Sequence, residues 1–193
     1  MSPFEFEPGD VLLAVDLQND FLHPDGAYGR AGQTAPALAA LPALIAPVAE
    51  QARAALVPIV ATQFTLAPGR NGEPIISSHL RALRPFLARG DFEPGAWGHQ
   101  PITELGAVDC LVEKVAFSAF HQTRLEWVLS GLTPTRLIVA GIVTNGGVAS
   151  TVRDAHVRDL PVVVLGECCA AFDPIVHDAT LTSLASIVSV RRD

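Results

Sequence analysis

The sequence is short of cysteine, of basic clusters, of long apolar runs and of paired metal ligands, and each shortage removes a class of function. Three cysteines, Cys110 and the adjacent Cys168 and Cys169, are an odd and poorly spaced set for a disulfide framework and offer no C-x-x-C pair for zinc. They read first as small buried hydrophobes. Thirteen Lys and Arg against 20 Asp and Glu give a net charge of -7, and no basic run exceeds Arg191-Arg192. Phosphate backbones find no grip on such a surface, so no nucleic-acid partner is expected. No apolar run approaches the ~20 residues of a membrane-spanning helix. The first ten residues are acidic where a signal peptide would be basic. The expectation is a soluble cytoplasmic protein with no membrane partner. His23, His79, His99, His121, His156 and His177 form no H-x-x-x-H or H-E-x-x-H pair, so no metal is expected. Ser118 lacks the G-x-S-x-G elbow of a serine hydrolase.

What is present is apolar and patterned. With 49% hydrophobic and 17% charged residues in 193, the chain suits one globular core, and residues 1–193 are expected to form a single domain. Six short, mostly continuous apolar runs read as strands buried on both faces: Val11 to Val15, Val57 to Ala61, Val108 to Val112, Leu137 to Ala140, Val162 to Leu165 and Ile187 to Val190. Helical patterns between them predict right-handed crossovers and a three-layer α/β/α domain. Pro36, Pro42 and Pro47 interrupt the first helical pattern, which is expected to be regular only from Pro47 onward. The next is expected over Arg124 to Ser130, with Thr123 and Glu126 as a capping box and Gly131 as its stop. Two more should carry Val148, Thr151, Val152 and Ala155, and start at Asp173-Pro174. Thr65 to Pro101, rich in Gly and Pro, reads as a long excursion with one short helical hint around Ser77 to Leu87.

Polar residues at the C-terminal ends of buried strands mark the rim where this architecture builds its sites. They are Asp16, Gln63, Lys114, Thr144 with Asn145, and Glu167. Asp16 could be a general acid or base, or a turn-forming residue. Lys114 could hold Asp16 ionised or stabilise negative charge, or be a solvated lysine. Gly141 to Gly147 lacks the lysine of a phosphate loop, so nucleotide binding is excluded; its backbone amides could hold an anion, or the stretch could be plain turn chemistry.

Three segments resemble the isochorismatase-like hydrolase superfamily, which includes nicotinamidases, N-carbamoylsarcosine amidohydrolases and isochorismatases. They are Ala14 to Phe21, Lys114 to Phe120 and Gly141 to Ala155, in order and at matching spacing. The resemblance implies a six-stranded parallel sheet between helices and a homodimer or homotetramer. It implies an Asp-Lys-Cys triad, of which Asp16 and Lys114 match two members while the cysteine position falls on Gly147. It further implies a cis peptide at Ile142-Val143, anion-binding backbone amides at Val143 and Gly147, and a small-molecule substrate. The pocket would be formed by Phe21, Gln63, Phe120, Thr144 and Asn145. The nicotinamidase metal motif is replaced by Thr62-Gln63-Phe64-Thr65-Leu66-Ala67-Pro68-Gly69, so neither a metal nor another cofactor is implied.

Without a thiol at Gly147, the resemblance points to a hydrolase working by Asp/Lys acid-base chemistry, with an enol ether of isochorismate type as a candidate substrate. Isochorismatases share the glycine at this position but carry Ala-His where this chain has Thr144-Asn145. The alternatives are a retired scaffold acting as a binding or assembly protein and an amidohydrolase of nicotinamidase or carbamoylsarcosine type.

Overall fold

The computed structural model describes residues 4–192. Six parallel strands, β1 (Asp10–Val15), β2 (Ile59–Phe64), β3 (Cys110–Lys114), β4 (Arg136–Ile142), β5 (Val162–Ala170) and β6 (Ser189–Arg191), form one sheet in the order β3-β2-β1-β4-β5-β6. The order reverses between β1 and β4, which pair from Asp10↔Arg136 to Val15↔Gly141. In an open α/β sheet the crevice above that reversal is where ligands bind.

Alternation along the strands sorts side chains into two apolar layers. On one face Leu12, Ala14, Ile59, Ala61, Ile138 and Ala140 pack under Leu38, Leu41, Ile45, Val48, Ala49 and Ala52 of α3 (Pro36–Ala54), which follows two short turns, α1 (Asn19–Leu22) and α2 (Ala27–Arg30). On the other, Val11, Leu13, Val15, Leu137 and Val139 pack under α5 (Leu125–Leu132), α6 (Ala149–Val157) and α7 (Pro174–Leu184). The short α4 (Ser78–Leu83) lies in the excursion, and Ser77 caps it by accepting from the Leu80 amide.

Two helix expectations are corrected. α3 is continuous through Pro42 and Pro47 rather than starting at Pro47. Pro36 occupies its first turn, where no amide is required, and six buried apolar side chains outweigh the two missing interior hydrogen bonds. α5 runs past Gly131 and ends at Thr133, which takes the left-handed conformation at φ 47°. Thr123 does accept from a helical amide, that of Leu125, without being the residue next to the helix. At α7 the side chain of Asp173 accepts from the Ile175 amide ahead of the N-terminal proline turn.

The excursion between β2 and β3 is held down rather than loose. Asp20, buried, accepts from the amides of Ala27 and Phe92, and Gln18 exchanges hydrogen bonds with the Phe64 and His99 backbone. Above these ties Phe21, Tyr28, Phe64, Phe86 and Phe92 build a small aromatic cluster. That cluster sits on the β1 side of the sheet reversal and forms one wall of the site.

Candidate active site

The chain leaves β1 at Asp16 with φ 54°, a left-handed turn that an aspartate tolerates better than most residues. This turn swings the carboxylate over the sheet edge toward β2 and β3. Thr62 of β2 meets it, donating its hydroxyl to Asp16 Oδ1 at 2.7 Å and accepting the Asp16 amide at 3.0 Å. Lys114, last residue of β3, lies two strand spacings away, ~9–10 Å. Its stem spans that gap and places Nζ 2.6 Å from Asp16 Oδ2, with a further bond to the Ala116 carbonyl at 2.9 Å. The ion pair is almost fully dry, with 1% of the Lys114 and 6% of the Asp16 side chain exposed. Each Asp16 oxygen therefore has its own donor.

The other side of the crevice comes from the end of β4. Gly141 takes φ 130°, and a Cβ there would stand 2.1 Å from the Val15 carbonyl oxygen, so only glycine lets β4 lie this close to β1 at the bend. The Ile142-Val143 peptide is cis. A π-helical turn over Thr144–Val148 follows and leads into α6. At Gly147 a Cβ would fall 3.2 Å from Asp16 Oδ2 and 2.9 Å from the Ile142 carbonyl oxygen. A side chain at this position would thus stand directly beside the ion pair, and the backbone in its present conformation leaves no room for one.

Asp16, Lys114, Val143 and Gly147 line one cavity together with Phe21, Tyr28, Phe64, Leu80, Arg84 and Phe117. Its volume is about 40 Å³, room for about three water molecules. Two lining residues, Arg84 and Tyr28, carry no signal in the sequence pattern. Tyr28 is buried, accepts from Arg84 Nε at 2.5 Å and is held between Phe86 and Phe172. Burial raises its phenol above the ordinary tyrosine range, against the pull of Arg84.

Four residues expected in the pocket lie elsewhere. Gln63 follows Thr62 along β2, so alternation turns it away from Asp16; it donates to the His99 carbonyl at 2.8 Å and braces the excursion. Thr144 is buried against α7 and bonds His177 Nδ1 at 2.8 Å. Asn145, exposed on the outside of the π turn, borders a groove with Ala149, Arg153 and Ile175. Phe120 packs on the α5/α6 face beneath the Arg158 guanidinium, 4.6 Å from its ring centroid. Glu167 is also displaced from the expected rim. A register irregularity lengthens β5 so that Cys169 pairs with Gly141, which leaves Glu167 inside the strand, 3.7 Å from Arg191.

The cysteines stand apart from the cavity. Cys168 packs under α3 and Cys169 under the opposite layer. Burial pushes the Cys168 thiol up to about 12 and raises Cys169 as well, which disfavours the thiolate a nucleophile needs. Among the described residues no three His, Cys, Asp or Glu side chains converge to hold a metal ion, and no helix is long and apolar enough to cross a membrane.

A buried carboxylate-ammonium pair lines a cavity at the reversal of the parallel sheet, where open α/β folds place their ligand sites. The chain belongs to the isochorismatase family: the isochorismatase domain matches residues 10–191, nearly all of it, and the protein is an isochorismatase-family hydrolase. It is similar to the ureidoacrylate amidohydrolase of Methylobacterium radiotolerans, 29% identical across 94% of this chain and 76% of that protein. The ureidoacrylate amidohydrolase of Pseudomonas syringae pv. syringae is 30% identical across 86% and 72%. Among solved structures, a cysteine hydrolase from Pseudomonas syringae pv. phaseolicola superposes with a TM-score of 0.78 at 25% identity, covering 98% of this chain and 93% of that one.

Proposed function

We propose that this hydrolase works without a cysteine nucleophile, using Asp16 and Lys114 to move protons and water to complete the cleavage. The observation that carries the reading is the 2.6 Å Asp16-Lys114 pair lining a cavity whose wall at Gly147 has no side chain. In this reading Gly147 stands at the position that the resemblance assigns to the family's nucleophilic cysteine, and among the described residues that line the cavity none is a cysteine.

An enol ether of isochorismate type suits this inventory because its hydrolysis needs an acid and water but no attacking side chain. A proton passes from the Lys114 ammonium to Asp16 Oδ2 and on to the terminal vinyl carbon, whose π electrons form the new C–H bond. The resulting oxocarbenium ion faces the Asp16 carboxylate, which stabilises it. Water adds to the cationic carbon and returns its proton to the Asp16-Lys114 pair. The hemiketal then collapses: Asp16 takes its hydroxyl proton and passes it to the departing oxygen as the C–O bond breaks, giving the alcohol and pyruvate. Val143 and Gly147 line the cavity, and this reading assigns their backbone amides as donors to the substrate's anionic group. The cavity as it stands holds only a few waters, so admitting a substrate requires lining residues to shift, and of these Phe117 is exposed and Arg84 half-buried.

Incubation with isochorismate and an assay for pyruvate tests this. Release by the parent protein and none above background from Asp16→Asn is expected; equal rates from both would overturn it. Amide hydrolysis is the second reading, favoured by the likeness to two ureidoacrylate amidohydrolases over most of the chain. Turnover of ureidoacrylate without pyruvate formation from isochorismate would select it. A retired binding scaffold fits less well, since the pair is intact and faces a cavity.

A further inference from the structure

The turn that brings Val143 and Gly147 to the cavity has few side chains of its own to hold it. Of the five residues in the π turn Thr144–Val148, Asn145 is exposed, and Gly146 and Gly147 have no side chain. One anchor remains at each end. Val148 is packed in the core between the sheet and α5, α6 and α7. Thr144, fully buried, is tied through Oγ1 to Nδ1 of His177 on α7 at 2.8 Å. Among the described residues that is the one side-chain hydrogen bond joining the turn to α7, and Thr144 Oγ1 has no second partner. Two successive glycines leave the backbone between the anchors free to take more than one path. Where the Gly147 amide stands therefore depends on both.

We infer that His177, which does not line the cavity, is a positioning residue of the site: through Thr144 it fixes where the backbone amides of Val143 and Gly147 stand relative to Asp16. The inference rests on the hydrolytic reading of the cavity, which uses those amides as donors, and adds the residue that keeps them in place. Thr144 follows Val143 directly and precedes Gly147 in the same turn, so a shift of its anchor moves both. Histidine suits the task because Nδ1 is the ring nitrogen nearer its own backbone, which gives a short, stiff reach. The imidazole is half-buried, and the His177 amide donates to the Asp173 carbonyl at 3.0 Å in the first turn of α7. Asp173 caps that helix, so the anchor is itself seated on a fixed helix end. Without the imidazole a buried hydroxyl is left unpaired, which favours a shift of Thr144 toward water.

Substitutions at both ends of the bond test this. An asparagine amide can donate or accept at nearly the place of Nδ1, whereas a glutamine amide reaches toward that of Nε2. In steady-state pyruvate release from isochorismate by the full chain, His177→Ala should raise KM about tenfold, with kcat changed less than about threefold. Thr144→Val should do the same, and the double variant should be no worse than either. His177→Asn should return KM to near the parent value, and His177→Gln should not. Hydrogen exchange at the Gly146 and Val148 amides, both bonded to the Val143 carbonyl, should quicken in His177→Ala and recover in His177→Asn, with the amides of α3 unchanged. An unaltered KM in His177→Ala, additive effects in the double variant, or a loss that His177→Asn does not rescue would overturn the inference. If the parent releases no pyruvate, the isochorismate reading falls and the exchange pattern decides the inference alone. Unchanged exchange at the two amides then overturns it, and a quickening reversed by His177→Asn upholds it.

Discussion

The two halves of the cavity are built differently. Asp16 stands just past β1, and Thr62 and Lys114 on β2 and β3, all buried, with the register of the strands setting their spacing. Arg84 and Phe117 stand on the segments that arch over them, half-buried or exposed, and Arg84 is positioned by a single side-chain bond to Tyr28. The first half is suited to moving protons, which requires fixed geometry. The second is suited to admitting and selecting, which requires arms that can shift. One half should therefore govern the rate and the other the affinity, and substitutions can break that division.

Asp16→Asn removes the one carboxylate that lines the cavity among the described residues, and turnover measured at saturating substrate should fall about a thousandfold. Lys114→Met should lower the rate as well, and by leaving a carboxylate buried without its cation it should cost about 3–5 kcal/mol in urea unfolding. Next comes Gly147: an added Cβ meets the Ile142 carbonyl oxygen at 2.9 Å, so Gly147→Ala should cost about 1–3 kcal/mol through backbone displacement. Gly147→Cys should suffer the same penalty, and amide hydrolysis by that variant would show that the bend can shift enough to accept a thiol. Arg84→Met should raise KM about tenfold with kcat little changed, because it removes binding shared by the ground and transition states. Steady-state kinetics with stability measured alongside checks it, and a matching fall in kcat would erase the division between the two halves.

The smallest effect expected is one of pH. Burial lowers both His99, which bonds Thr65 Oγ1 through Nε2, and His177, which bonds Thr144. A histidine lowered by folding is held neutral, so the unfolded chain takes up protons first. Their contribution is fully present above the unfolded value of ~6.5 and is lost as pH falls below it toward the folded values. Chemical unfolding at pH 7.5 and pH 5.5 should show the loss, and His99→Gln should reduce it; an unchanged slope would contradict the assignment.

How far the chain itself reveals this arrangement also divides along the same line. The strands are legible because most carry an apolar run, and Asp16 and Lys114 stand at or just past the ends of two of them. The long α3 is not, since proline penalties in the sequence give no hint of how deeply Leu41, Ile45 and Val48 are buried. Gln63 differs from Thr62 by one residue, yet alternation sends one to the ion pair and the other to His99, and an apolar run without a known strand end cannot say which. Arg84 and Tyr28 belong to segments whose path is set by buried ties through Asp20 and Gln18. No periodicity announces such ties, so the half of the cavity that carries Arg84 and Tyr28 is visible only in three dimensions.

The central claim is that hydrolysis here depends on Asp16 and on no cysteine. The most direct measurement is pyruvate release from isochorismate by a variant carrying Cys110→Ser, Cys168→Ala and Cys169→Ala, compared with the parent and with Asp16→Asn. The account predicts that the cysteine-free protein, once shown to be folded, keeps the parent's rate while Asp16→Asn loses it. A folded cysteine-free protein that is inactive beside an active parent would contradict it.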